Sequence, residues 1–450
     1  MIHKLYYAHL KFWVKLAIKL FYRRIEIRGI ENLPMEGPVL LAPNHQNAFM
    51  DALLPATLCP RTIHFLVRAD VFKSSIARKF FGSIHMMPIY RQRDGIENLA
   101  RNDETFEKCF QILREGKVLL LFPEAGHEGV RKLRPLSKGF ARIVFGALEG
   151  HENLDIQVVP LGINYSNYSE SQARLLMSYG KPISIQDYQK QYEENKARAM
   201  NRLKEDVFEG LAKEIMHIED EKAMEAFEVE LERILPFYAD FSGGYRQSRR
   251  GGNPFYKSRE EFFEGLDHDH PYYRRILIYD AEMKKRGLKA PFFFIERKDP
   301  GFWVIQNLFL LIFLPFFLLA WVLHAPSYFT VRGVLSKYVR DRQFHSSIKL
   351  VGMLVLFPFF AVIFSLLVGF WSNDPLVVAS SIILFFPLSI FIIRELRLPY
   401  RYCMTFWRMI FMKWRKKALY RYLVRIEEEI IESIECHENN LRHKQSEQTR

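Results

Sequence analysis

Between residues 24 and 180, short apolar runs alternate with stretches in which apolar residues recur every three or four positions. RIEIRGI (24–30), PVLLAPN (38–44), TIHFLV (62–67), SIHMMPIY (83–90), KVLLLFP (117–123) and DIQVVPLGINY (155–165) read as strands, and RLLMSYG (174–180) adds another. Helical patterns fall near 51–58, 71–81, 95–115 and 136–149. Strands that are hydrophobic along most of their length and separated by helices predict an α/β fold, a mostly parallel sheet with helices on both faces. In such sheets chemistry gathers in the loops beyond the carboxyl ends of the strands. The stretches APNHQN, MPIYRQRD and LFPEAGHEG each follow a strand in that way.

The pattern changes after residue 190. Residues 191–235 have strongly helical composition, and FSGGYRQSRRGGNP (241–254) is a basic Gly/Ser-rich loop. Residues 191–300 are therefore expected to be a helical linker or lid. Three apolar stretches follow, at 302–323, 350–373 and 375–393, each near the ~20 residues needed to cross a bilayer core. Basic residues Arg332, Lys337, Arg340 and Arg342 lie between the first two, and ten Lys/Arg against Glu395 alone fill 394–425. Positive charge marks the cytoplasmic side. The second and third stretches then form a hairpin entered from that side, and the first is expected to re-enter, bent at Pro315.

The segment 394–425 interleaves bases with Tyr400, Phe406, Trp407, Phe411 and Trp414. Directly after a membrane hairpin, it reads as an anchor to anionic lipid. The polar tail from 437 is expected to fray. At the other end, Lys4, Lys11, Lys15 and Lys19 interrupt every apolar run, which excludes a signal peptide. Their spacing fits a helix lying in the headgroup plane, or one packed on its own domain. The expected divisions are an amphipathic helix and first strand (1–30), a catalytic domain (31–190), the linker or lid (191–300), membrane segments (301–395) and a basic amphipathic tail (396–450).

Composition agrees with a membrane protein. Apolar residues make up 49% of the 450, 39 of them phenylalanine, and the formal charge of +13 calls for an anionic partner. That partner is expected to be membrane lipid and not nucleic acid, because the bases lie beside apolar spans. Four scattered cysteines support neither a zinc site nor a disulfide framework.

His45 in APNHQNAFMD is the leading candidate for chemistry. A lone histidine at a strand end is more often structural; a carboxylate that fixes its tautomer makes it a base. Asp51 can be that partner only if the intervening chain is not regular helix, which would turn the two away from one face. Arg91 and Arg93 offer a fork for phosphate, or else pair with Asp94 or Glu97. Glu124 either orients a substrate hydroxyl or positions the cations; otherwise it is an acid at a helix start. Arg131, Arg134 and Lys138 add positive charge nearby. One base, one orienting acid and several cations suit deprotonation of a hydroxyl on a phosphate-bearing substrate.

In order, NHQNAFMD, FGSIHMMPIYRQRD, LFPEAGHEGVRKLRPLSKGF and VVPLGINY resemble the four sequence blocks of PlsC-type glycerolipid acyltransferases. The resemblance covers residues 37–165. It implies a membrane-bound enzyme that moves a fatty acyl group from acyl-CoA or acyl-ACP to a hydroxyl of glycerol 3-phosphate or 1-acylglycerol 3-phosphate. By the same resemblance His45 is the base, Asp51 its partner, Arg91 a phosphate ligand, Glu124 a shaper of that site, and Pro160 part of the fourth block. No metal or organic cofactor takes part.

Two departures stand out. The family's His-x4-Asp is here His-x5-Asp, and its FPEGTRS is here FPEAGHE. Both look like the fungal-type glycerol-3-phosphate/dihydroxyacetone-phosphate acyltransferases. The open alternatives are another lysophospholipid or an amino-acid lipid as acceptor, a non-catalytic lipid-binding protein on the same scaffold, and a nucleic-acid binder suggested by charge alone.

Overall fold

The computed structural model describes residues 2–90, 101–124, 126, 129–151, 153–235, 259, 261–296, 298–380 and 386–448. The chain divides into two units: residues 1–217 with 337–351, and residues 218–336 with 352–450.

The first unit opens with helix α1 (Ile2–Phe21), followed by β1 (Arg24–Arg28), β2 (Val39–Pro43), α2 (Ala48–Leu58), β3 (Ile63–Arg68), α3 (Ser75–Ser83) and β4 (Met86–Ile89). Then come α4 (Arg101–Arg114), β5 (Val118–Leu120), α5 (Gly139–Leu148), β6 (Gln157–Tyr165), β7 (Arg174–Tyr179), β8 (Ile183–Ser184), α6 (Gln186–Glu194) and α7 (Lys196–Glu214). The strands form one sheet in the order β1-β7-β6-β2-β5-β3-β4, with β8 beside β6. Pairings are parallel except β6–β7 and β6–β8. The expected α/β fold is what forms.

Side chains alternate across the sheet, so Leu40, Ala42, Leu119 and Val158 share one face and meet apolar residues of α4, α5 and α7 there. Pro160 sits inside central strand β6, where a missing N–H would break a ladder. It escapes because β8 pairs with residues 157 and 158 and β7 begins pairing at Leu161.

Helix α7 corrects the expected boundary at 190. Asn195 caps it by accepting from the Arg198 amide, and Ala199, Leu203, Val207 and Leu211 recur every fourth residue as a buried stripe. The helix thus belongs to the sheet unit and is not part of a lid. Helix α1 meets the expectation of a helix packed on its own domain at its C-terminal end. Its end packs inward through Ala17, Ile18 and Phe21, while Leu5, Phe12 and Trp13 stay exposed. Lys11 turns from the expected cationic stripe and donates to the Cys59 carbonyl at 3.0 Å.

The second unit contains α8 (Glu221–Arg233), α9 (Pro271–Lys285), α10 (Phe292–Glu296), most of α11 (Pro300–Tyr338) and of α12 (His345–Ser372), α13 (Pro375–Ser380), α14 (Phe386–Arg415) and α15 (Lys417–Gln448). Among the described residues, two helices, α11 and residues 342–372, are long and apolar enough to cross a membrane. The expected re-entrant bend at Pro315 does not form. Helix α11 runs unbroken through Pro315 and Pro326. The third apolar stretch includes residues 381–385, outside the described ones, and its end continues as α14 through the basic aromatic segment. Trp303 of α11 stacks on Phe406 of α14 with centroids 4.7 Å apart, and the Trp407 indole donates to Asn307 at 3.0 Å. The tail expected to fray remains helical through Gln448.

Candidate active site

The three central strands β6, β2 and β5 are neighbours, and their carboxyl ends deliver Tyr165, His45 and Glu124 to one place. After β2 the chain leaves the sheet at Asn44, whose side chain donates to the Ile163 carbonyl at 3.1 Å and accepts from its amide at 2.7 Å. That exchange locks the loop onto β6 just before His45.

His45 and Asp51 meet. Nδ1 of His45 lies 3.0 Å from Asp51 Oδ2. An ionised carboxylate only accepts, so Nδ1 carries the proton and the lone pair falls on Nε2. Helix α2 begins at Ala48, whose φ of 40° lies in the left-handed region that alanine seldom adopts. This left-handed residue interrupts regular helix between His45 and Asp51. Asp51 therefore lies within the first turn of α2.

Asp51 is fully buried. Its Oδ2 also accepts from the Asn47 amide at 2.6 Å, and its Oδ1 from the Tyr165 hydroxyl at 2.5 Å. Burial, then the Asp51 charge, pushes the Tyr165 phenol well above its ordinary pKa, so it remains a donor. The imidazole stacks on Phe122 with centroids 3.8 Å apart and planes 14° from parallel. Asp51 and Phe122 together fix the ring in direction and in plane.

Glu124 meets one of the expected cations, Arg134, and in addition holds backbone. One oxygen accepts from the His45 amide at 2.8 Å, and the other from the amide and the Nε of Arg134 at 3.2 and 3.3 Å. It ties the loop after β5 to the His45 backbone. Burial raises its pKa against the pull of these donors.

Asn44, His45, Gln46, Glu124, Arg131, Lys132, Asn164 and Met216 line one small cleft. Arg131 is buried and donates to the Tyr165 carbonyl at 2.7 Å. Lys138 is exposed, precedes α5 and does not line this cleft; Lys132 does. Arg91 and Arg93 lie outside the described residues. Sequence reasoning missed Tyr165, Phe122 and Lys132, although all three fall in the quoted blocks.

Residues 24–164 match the family model described as Acyltransferase. The chain is 28% identical over 103 residues to Glycerol-3-phosphate O-acyltransferase 2 of Saccharomyces cerevisiae, covering 23% of this chain and 14% of the yeast protein. It is 27% identical over 132 residues to a chloroplastic 1-acyl-sn-glycerol-3-phosphate acyltransferase of Arabidopsis thaliana, covering 29% of this chain and 34% of that protein. The chain thus spans about a third of these relatives' length or less. A crystal structure of the 1-acyl-sn-glycerophosphate acyltransferase PlsC of Thermotoga maritima aligns with 47% of this chain and 82% of its own, at 15% identity and a TM-score of 0.34.

Proposed function

We propose that this chain, whose residues 24–164 match the Acyltransferase family model, acylates a hydroxyl of glycerol 3-phosphate or 1-acylglycerol 3-phosphate for phospholipid biosynthesis. The donor is an acyl thioester, acyl-CoA or acyl-ACP. The contact of His45 Nδ1 with Asp51 at 3.0 Å carries this reading.

In the reaction, the acceptor oxygen attacks the thioester carbonyl carbon while its proton passes to His45 Nε2. Asp51 stabilises the imidazolium that results, a contribution of about 10²–10⁴-fold for a positioned base. The C–S bond then breaks, and the imidazolium returns its proton to the leaving thiolate. No resident metal or organic cofactor is needed, because the thioester is already activated. Arg91, with Arg93 and Lys132, neutralises the acceptor phosphate, and Glu124 keeps the His45 backbone in place.

The apolar helices α11 and α12 support membrane residence, with the sheet unit on the cytoplasmic face, where water-soluble donor and phosphate arrive. The basic aromatic face of α14 and the exposed Leu5, Phe12 and Trp13 of α1 suit contact with anionic lipid.

The test is a panel of glycerol 3-phosphate, 1-acylglycerol 3-phosphate and other lysolipids, offered with acyl-CoA or acyl-ACP to the purified full chain and to His45→Ala. Transfer by the parent and its loss in a folded variant is the expected result. Normal turnover by the variant rejects the base, and the preferred acceptor separates the enzymatic readings.

A further inference from the structure

The connection between α11 and α12 is nearly three hundred positions from the His45 loop in sequence, yet residues 337–351 belong to the sheet unit. They touch the catalytic loop at its most committed residue. Asn47 occupies the N-cap of α2, where an asparagine side chain ordinarily accepts from an amide of the first turn. It caps nothing here. Its Oδ1 instead accepts from the Ser346 hydroxyl at 2.8 Å, its Nδ2 donates to the Tyr168 carbonyl at 2.8 Å, and its own amide donates to Asp51. Both Asn47 and Ser346 are fully buried.

One turn further along α12, Lys349 donates to the Ser169 carbonyl at 2.8 Å and pairs with Glu170 at 3.2 Å. Ser346 and Leu350, four residues apart on one face, are both fully buried. The start of α12 therefore grips the loop after β6 and the loop after β2 together. Ser346 is two hydrogen bonds from the dyad carboxylate.

We infer that the first two turns of α12 are a built anchor for the catalytic loop, and that Ser346 and Lys349 are positioning residues for the acyl transfer. The inference rests on reading His45 and Asp51 as the reacting pair. The physical argument is the diverted cap: a buried carboxamide placed between Ser346 and Tyr168 fixes the amide that points at Asp51, and with it the kinked start of α2.

The test uses the full chain in lipid nanodiscs as parent, Ser346→Ala, Ser346→Thr and Lys349→Met, with two readouts. Hydrogen exchange by mass spectrometry follows residues 44–52, and steady-state kinetics across pH gives kcat, acceptor KM and the acid limb. Ser346→Ala leaves Asn47 short of a buried partner, so kcat should fall about tenfold, in line with the loss of one buried hydrogen bond. Acceptor KM should stay within about twofold, as expected for an effect on the transition state alone. Exchange in 44–52 should quicken. The acid limb should move to lower pH, because a misaligned Asp51 stabilises the imidazolium less. Lys349→Met should show the same trends more weakly, and Ser346→Thr should restore the parent's values.

Unchanged exchange in Ser346→Ala overturns the anchor. Faster exchange with unchanged kcat and pH profile overturns the positioning role. A parent that acylates no acceptor defeats the functional reading by itself, and the exchange arm still judges the anchor.

Discussion

The Tyr165 phenol donates to Asp51 Oδ1, the carboxylate oxygen that His45 does not use. The buried carboxylate is thereby held by three donors, the imidazole and the Asn47 amide from the loop after β2 and the phenol from the end of β6. Tyr165→Phe removes one donor and adds none, in a place water does not reach. Leaving a buried acceptor short costs about 1–3 kcal/mol. The variant is expected to lose that much stability and to show a lower kcat with little change in acceptor KM. Denaturant unfolding and steady-state kinetics check the two effects separately, and unchanged values in both would refute the role.

Asp51→Asn tests the carboxylate more directly. The amide keeps the shape but offers an N–H₂ where Asn47, Tyr165 and His45 all donate. Either the side chain loses partners or the imidazole changes tautomer and puts its proton on Nε2, where the acceptor's proton should go. By analogy with buried carboxylates behind catalytic histidines, kcat should fall about 10³–10⁴-fold. Circular dichroism should be that of the parent, and a loss smaller than tenfold would show that the carboxylate does not set the tautomer.

The strands were legible because each is a compact apolar run. The paired start of β8 was not, because two residues make no pattern. The meeting of His45 and Asp51 was legible only as a condition, that the chain between them be irregular, and the left-handed Ala48 supplies the irregularity. Asn47 is the N-cap of α2, and nothing local in the sequence reveals that its side chain reaches a serine far along the chain. Tyr165 ends a strand, and which strand end abuts Asp51 depends on the order β6-β2-β5, a non-local fact. The edge of the sheet unit was misplaced at 190 because helical composition is the same on both sides of it; the four-residue stripe from Ala199 to Leu211 carried the missing information.

That stripe faces β6, and Gly162 is where the approach is tightest. A Cβ at Gly162 would lie 2.2 Å from the Glu214 carbonyl oxygen and 2.7 Å from its carbon. Backbone cannot yield as a side chain can. Gly162→Ala should therefore push the end of α7 from the sheet and strain the bonds of Asn164 to the Glu214 carbonyl and the Met216 amide, both 2.9 Å. Overpacking of this kind costs about 1–3 kcal/mol. A lowered thermal midpoint is expected, with some loss of activity because Met216 lines the cleft; a parent-like midpoint would contradict the packing.

The second unit carries its own pH signature. Glu427 of α15 is buried and accepts from the Tyr279 hydroxyl and from the Phe292 and Phe293 amides at the start of α10. Burial outweighs these donors and pushes its pKa up from 4.5 to about 7. Between those values the folded protein holds a proton that the unfolded chain releases, so unfolding becomes easier as pH rises through this window and levels off above it. Glu427→Gln cannot titrate. The thermal midpoint of the parent should fall relative to that of the variant as pH is raised from 4.5 to 7.5, measured in one detergent at constant salt. Parallel pH profiles for the two proteins would show that the carboxyl titrates at its ordinary value.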